Sequence, residues 1–429
     1  MEKRIKIGLA ALILVVFFIP LKRNVLHFIK EQPLFGSYKT HEEPNLSIKG
    51  WLEGSFQKDY NNYFNASFGF RNTLVRIYNQ TQYSFFNKTS AKDVQIGRDN
   101  YLFEGGYIRD YMGYNFIGEE KITERLQKLK TIQEKLKQDN ISLIVAFAPG
   151  KASYYPEYFP IKYDTSKKTM SNYLCYAQKC KELELDYIDF NFLFMTHKSQ
   201  SDLPIFPKGG VHWGEYGVVV SLDSLSRYLE RERGISMPIL EMDEPVYYDT
   251  LKRTDRDISD AMNLLIELDY YKMPTPVVRF KQQKNQTKPS LLIVGDSYGY
   301  GLTNSLIIKK LFNNVEFWYY NKEIKSGKKN HGTKIDDVNV RNELDRFDVV
   351  LLLSTETNLY KFDFGFAESY YRGDEEKRED EIQRIITDIK TDTTWYTQIK
   401  RQAKERGAST NETLRKNAIF VISNRKKIK

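Results

Sequence analysis

Cysteine is almost absent from this 429-residue chain, with two residues in all, Cys175 and Cys180. Both fall in the helical-looking segment SNYLCYAQKCKEL, five positions apart, where a helix points them in different directions. A disulfide framework is therefore excluded as the organising principle. Histidine is also scarce, at five residues, and no CxxC or HxxxH spacing occurs, which removes a structural zinc site. The chain has no internal repeat. Its formal charge of +9 comes from scattered Lys and Arg, without the basic stripe and interleaved aromatics of a nucleic-acid binder. Such an excess suits an anionic polysaccharide, a lipid headgroup surface or simple solvation.

Aromatic residues are what the chain has in quantity. Its 30 Tyr and 26 Phe, within a hydrophobic content of 41%, argue against disorder and for a packed interior, with exposed rings available to sugars. The length allows one large α/β domain with appendages, or two domains.

At the amino end, Lys3, Arg4 and Lys6 precede an apolar run from Ile7 to Leu21, closed by Lys22 and Arg23. No small-residue cleavage site follows, so residues 1–23 read as an uncleaved signal anchor, with a cleaved signal peptide as the alternative. The run is shorter than the ~20 residues a spanning helix needs, which implies thinning or snorkelling. Either reading places the remainder outside the cytoplasm.

Residues 24–112 form an aromatic-rich linking region, with an amphipathic helix and then short strands around Arg98-Asp99-Asn100. From 113 to 372 helices and strands alternate. Helix signals cover Leu126 to Leu136, 168–183, 214–232 and 301–311, and strand signals cover 141–147, 187–190, 290–294, 314–319 and 348–354. Apolar strands between amphipathic helices predict a mainly parallel sheet covered on both faces, with ligands beyond the strands' carboxyl ends. Segment 240–289 interrupts the alternation, and 373–429 reads as a helical extension whose Ser409 and Glu412 have capping-box spacing. Neither displays a reactive cluster, so both read as structural or partner-facing.

Three places on the predicted edge carry chemistry. SLLIVGDSYGYGL runs from a strand into Gly-Asp-Ser, presenting Ser297 before a helix, with Asp296 beside it in the turn as a candidate oxyanion- or substrate-contacting residue. A helix amino terminus there would favour the charge developing on an acyl intermediate. FPKGGVHWGEYG supplies His212 as a base, whereas His27, His41, His197 and His331 lie in less suggestive surroundings. In DVVLLLSTETNLY, Glu356 could orient a histidine and Asn358 could donate to an oxyanion. Lys151, after strand 141–147, could bind an anionic group, and Trp213 could stack on a sugar or pack behind the histidine.

Taken together, GDSY, HW, IGRDNYLF, APGKASYYPEYFP and DISDAMNLL resemble the alginate O-acetyltransferase family of AlgX and AlgJ, over most of residues 30–370. That resemblance implies an SGNH-hydrolase-like (flavodoxin-like) α/β fold with the histidine block moved ahead of the serine block. It also implies Ser297 as acetyl carrier, His212 as its base, a polysaccharide acceptor, no metal or soluble cofactor, and a membrane-bound O-acyltransferase partner. The family's Asp-x-His-Trp block has Gly210 where the aspartate belongs. Glu356 or Glu215 is expected to replace it, or the site is a dyad. An acetyl esterase using the same residues, and a catalytically silent polysaccharide-binding scaffold, are the rival readings.

Overall fold

The computed structural model describes residues 4–11, 31–36, 41–281, 284–325 and 332–425. Ten strands occur among them: β1 (Val94–Ile96), β2 (Leu102–Glu104), β3 (Ser142–Ala148), β4 (Tyr187–Asp189), β5 (Ile239–Tyr247), β6 (Pro274–Lys281), β7 (Leu291–Gly295), β8 (Val315–Tyr319), β9 (Glu323–Ile324) and β10 (Val349–Thr355). Six make the central sheet in the order β4-β3-β10-β7-β8-β9. Its pairings are parallel except for β8 with β9. The expected mainly parallel sheet is present.

Alternation along the strands builds two cores. Ile144, Ala146, Leu291, Ile293, Leu351 and Leu353 face one layer, while Leu143, Val145, Leu292, Val294, Val350 and Leu352 face the other. Both strand faces are apolar because helices cover both. The helix Glu119–Gln138 buries Ile122, Leu126, Leu129, Ile132 and Leu136 on one side, as their spacing predicts. The carboxyl ends of β3, β7, β8 and β10 lie at one rim, with Ala148 in register with Thr355 and Gly295 with both Leu353 and Tyr319.

Two segments differ from expectation. The single helix 301–311 is split into Gly299–Asn304 and Ile308–Leu311. Ser305 takes extended backbone, and its hydroxyl accepts from Ile307 N at 3.3 Å, a local bond that competes with helix continuation. Segment 240–289 is an antiparallel hairpin of β5 and β6 whose long connection carries the short helix Asp257–Ala261.

At the carboxyl end, helix Phe366–Thr391 runs unbroken through position 373 and is followed by Thr393–Glu405 and Thr410–Arg425. Ser409 Oγ accepts from Glu412 N at 3.1 Å, one half of the capping box. No helix among the described residues is long and apolar enough to cross a membrane. Of the Ile7–Leu21 run, positions up to 11 are helical and the rest lies outside the described residues.

Candidate active site

Ser297 leaves the end of β7 in a turn that enters helix Gly299–Asn304. Neighbouring Asp296 is completely buried and anchors that turn. One carboxylate oxygen accepts from Tyr298 N at 3.1 Å. The other accepts from Thr355 N at 2.8 Å, Thr355 Oγ1 at 2.7 Å and Asn358 Nδ2 at 2.8 Å. These bonds tie the serine turn to the end of β10. They also correct two expectations: Asp296 and Asn358 are spent on each other and serve the scaffold, with neither side chain free to meet a substrate oxyanion.

His212 sits in the loop before helix Glu215–Arg233, and that loop is clamped residue by residue. The Gly209 carbonyl accepts from Ile258 N at 3.1 Å and Ser259 N at 3.0 Å. The Gly210 carbonyl accepts from Lys151 Nζ at 2.9 Å, and the Val211 carbonyl accepts from Tyr298 Oη at 2.6 Å. The Tyr298 ring lies 5.1 Å from that of His212. Every one of these contacts fixes where the imidazole points.

His212 Nε2 is 3.0 Å from Ser297 Oγ, and His212 Nδ1 is 2.6 Å from Asp257 Oδ2. The other Asp257 oxygen accepts from Val211 N at 2.8 Å, so one carboxylate holds both the ring and the backbone just before it. Hydroxyl, imidazole and carboxylate thus form a continuous relay of the kind that activates a serine nucleophile. Among the described residues none accepts the Ser297 backbone N–H, which leaves it available to an oxyanion. Burial opposes a positive charge on His212. The hydrogen bond and charge of Asp257, with the charges of Glu104 and Asp296, outweigh it, and the imidazole pKa is raised above its ordinary value.

Asp257 was not among the sequence candidates. It lies in the interrupting segment read as structural, 45 positions from the histidine. DISDAMNLL carries only a family resemblance, and no local pattern separates Asp257 from Asp255 or Asp260. Its placement explains Gly210. A Cβ there would stand 2.2 Å from the Thr254 carbonyl oxygen and 3.0 Å from Asp255 C. The acid-bearing connection packs directly on the glycine, in space that a side chain at 210 would occupy.

Glu356 does not take the orienting role. Its carboxylate is buried and accepts from Gly150 N at 3.2 Å, from Ser153 Oγ and from Asn191 Nδ2. Burial pushes its pKa up to about 7, against the hydrogen bonds from Ser153 and Gly150. Glu215 pairs with Lys252. Lys151 is not a ligand-facing cation either. It is 1% exposed and donates to the carbonyls of Leu102, Lys208 and Gly210 at 2.7, 2.6 and 2.9 Å. Burial drives its ammonium pKa well below the ordinary value, with the Asp257 charge acting the other way. Its work is to join β2 to the histidine loop. Trp213 packs behind the histidine against Phe190, Phe194 and Tyr298.

The three residues open into a cleft of about 780 Å³. One wall is apolar, from Val218, Val219, Tyr300, Leu306 and Ile307. Lys252, Arg253, Thr254 and Pro276 from the β5–β6 insertion also line the cleft, so that insertion supplies both the acid and part of the cleft wall.

Residues 94–300 match the family model described as the SGNH hydrolase-like domain of acetyltransferase AlgX. Over 181 residues the chain is 20% identical to the probable alginate O-acetylase AlgJ of Pseudomonas putida, a stretch covering 42% of this chain and 45% of that protein. The match thus spans less than half the length of that curated relative. Among solved structures, the chain is similar to the O-acetyltransferase domain of Pseudomonas putida AlgJ, at 18% identity and a TM-score of 0.41, over 65% of this chain and 98% of that one. It is also similar to Pseudomonas aeruginosa AlgX, at 13% identity and a TM-score of 0.42, over 64% and 67% of the two chains. The resemblance read from the GDS and HW blocks holds, and residues 94–300 carry an SGNH-hydrolase-like α/β fold.

Proposed function

We propose that this chain is a serine O-acetyltransferase acting on hydroxyls of a cell-surface or secreted polysaccharide. The observation that carries the proposal is His212 bridging Ser297 and Asp257 at hydrogen-bonding distance in an open cleft. The match of residues 94–300 to an acetyltransferase model supports acetyl as the group carried.

In the first half-reaction Ser297 Oγ attacks the acetyl carbonyl carbon of the donor while His212 Nε2 takes its proton. The carbonyl electron pair moves onto oxygen, where the Ser297 N–H stabilises it. Collapse breaks the bond to the leaving group, which receives the proton back from His212, and acetyl-Ser297 remains. A sugar hydroxyl, deprotonated by His212, attacks this ester in the second half, and Ser297 recovers its proton. Asp257 holds the imidazole with Nδ1 protonated throughout. Neither half calls for a metal or a soluble cofactor.

The same reading puts the cleft outside the cytoplasm, tethered by the apolar run Ile7–Leu21, with a membrane-bound O-acyltransferase delivering the acetyl group. The decisive experiment is mass spectrometry of the Ser297 peptide after incubation with a chromogenic acetyl ester. An acetyl adduct is expected on the parent chain, and Ser297→Ala should lose both adduct and turnover, by on the order of 10⁴-fold or more in rate. Turnover without an adduct, or turnover that survives in Ser297→Ala, overturns the mechanism. Adding an oligosaccharide acceptor separates transfer from hydrolysis: acetate release as the sole outcome makes the enzyme an esterase.

A further inference from the structure

The helices that precede the matched domain are built inside out. Ile48–Glu53 and Ser55–Ser67 contain no buried residue, and Arg71–Phe86 contains one, Asn79. Their aromatic rings nevertheless form a ladder from Trp51 through Phe56, Tyr60 and Phe64 to Phe68, with successive centroids 5.6 to 6.5 Å apart. Trp51 is 54% exposed, Leu52 80% and Phe85 79%. In Arg71–Phe86 the exposed Leu74, Tyr78 and Phe85 recur at helical spacing on one face. The inward side docks through Tyr83, which packs on the main core, and through polar groups. Asn79 Nδ2 donates to the Met262 carbonyl at 2.9 Å, and Gln80 Oε1 accepts from Ile266 N at 3.1 Å. A helix facing water has the opposite arrangement.

We infer that this outward face lies in the interfacial layer of a lipid bilayer. The inference rests on the membrane-tethered reading above, and three features support it. The apolar run ends at Leu21, so the chain from Lys22 to Ser47 limits these helices to on the order of 90 Å from the tether. Trp, Tyr and Phe mixed with aliphatics is the composition that settles at headgroup depth. The charges beside this face are Lys49, Lys58 and Arg71 against Glu53 and Asp59, a small positive excess that suits anionic headgroups, while Arg76 turns inward to the Gln32 and Pro33 carbonyls.

The docking has a consequence for the site. Met262 caps the helix Asp257–Ala261, and the adjoining Asn263 exchanges hydrogen bonds with both the N–H and the carbonyl of Phe35, at 2.7 and 3.1 Å. The segments nearest the bilayer therefore grip the element that carries Asp257, fixing the cleft relative to the surface that would deliver the acetyl group.

The test uses the full chain reconstituted into vesicles of mixed phosphatidylcholine and phosphatidylglycerol, with and without bromine on the acyl chains. Trp213 and Trp318 are buried and Trp395 is part-buried against the carboxyl-terminal cluster, so every form carries Trp395→Phe and contact-range quenching then reports chiefly on Trp51. Brominated lipid should quench the parent emission. Trp51→Phe should remove most of that quenching, and so should the triple change Leu74→Ser, Tyr78→Ser and Phe85→Ser with its far-ultraviolet dichroism unchanged. Emission indifferent to bromine in a chain that still resists alkaline carbonate extraction would overturn the interfacial assignment and leave the tether standing. A chain released by carbonate and unquenched would overturn both. A dimer in detergent that the triple change dissociates, without quenching in vesicles, would assign the face to a second copy and likewise overturn the inference. Turnover of a soluble acetyl ester is a separate readout, so loss of the enzymatic reading is distinguishable from each of these.

Discussion

Asp257 accepts from two neighbouring donors at once, the Val211 N–H and the imidazole Nδ1, and so it sets both the position and the tautomer of His212. Its charge also contributes to raising the imidazole pKa above the ordinary 6.5. A base must be neutral to act, so activity is lost as pH falls through that raised pKa, and the acid limb of kcat/KM should lie above 6.5. Asp257→Asn removes the charge that favours the imidazolium. The limb should then move to lower pH, while the plateau drops by on the order of 10³ to 10⁴-fold, as expected when a triad loses its orienting carboxylate. A pH series on a chromogenic acetyl ester reads both numbers, and a limb that stays in place would remove Asp257 from contact with the titrating group. Serine and histidine were legible in the sequence because each sits in a short block that encodes its own turn: an apolar strand running into Gly-Asp-Ser, and glycines around His-Trp. The acid was not, since its partner is 45 positions away and two other aspartates, Asp255 and Asp260, lie within three positions of it.

At the scale of elements, the rim of the sheet was predictable and the direction of each side chain on it was not. Ser297, Lys151, Glu356 and Asn358 all follow strand ends, as apolar runs ending in polar residues indicate. Yet only Ser297 meets His212. Glu356 and Lys151 turn into buried cages of hydrogen bonds that a linear pattern does not encode. The β5–β6 insertion changes the balance further, because it brings the acid from outside the alternating framework and lays the Thr254–Asp255 backbone just before it against Gly210. Gly210→Ala tests this contact directly. Its Cβ would meet the Thr254 carbonyl at 2.2 Å, so the 254–257 backbone must retreat, drawing Asp257 from the imidazole. A shift of about 1 Å should lower kcat on the order of 10²-fold with a smaller change in KM. Gly210→Asp should do no better, since the position left vacant in the family pattern is filled here by another element. Steady-state kinetics on both variants, with dichroism to confirm folding, decides the matter; full activity in Gly210→Ala would mean that the connection does not position the acid.

For the whole molecule, the catalytic layers and the carboxyl-terminal helices have separate interiors. Phe366, Ala367 and Tyr370 belong to the sheet's second core, whereas Ile382, Ile385, Ile389, Ile399, Leu414 and Ala418 form a cluster of their own. The helix Phe366–Thr391 joins them through a charged stretch held by partly exposed pairs, Lys135 with Asp374 at 3.1 Å and Lys377 with Asp345 at 2.6 Å. Such pairs contribute little each, about 0–1 kcal/mol. Charge and helical periodicity made this extension visible in the sequence, but the unbroken helix that crosses its start was not, because the stretch around position 373 lacks an apolar stripe to mark continuity. Separate interiors imply separate opening. Leu414→Ala should cost the three-helix unit about 2–5 kcal/mol. Amide exchange should then accelerate across Thr393–Glu405 and Thr410–Arg425, with that of β3, β7 and β10 unchanged. Ester turnover should stay within about twofold of the parent, since no residue of that cluster borders the cleft. Exchange that rises equally in the sheet would show instead that the helices and the catalytic layers open as one cooperative unit.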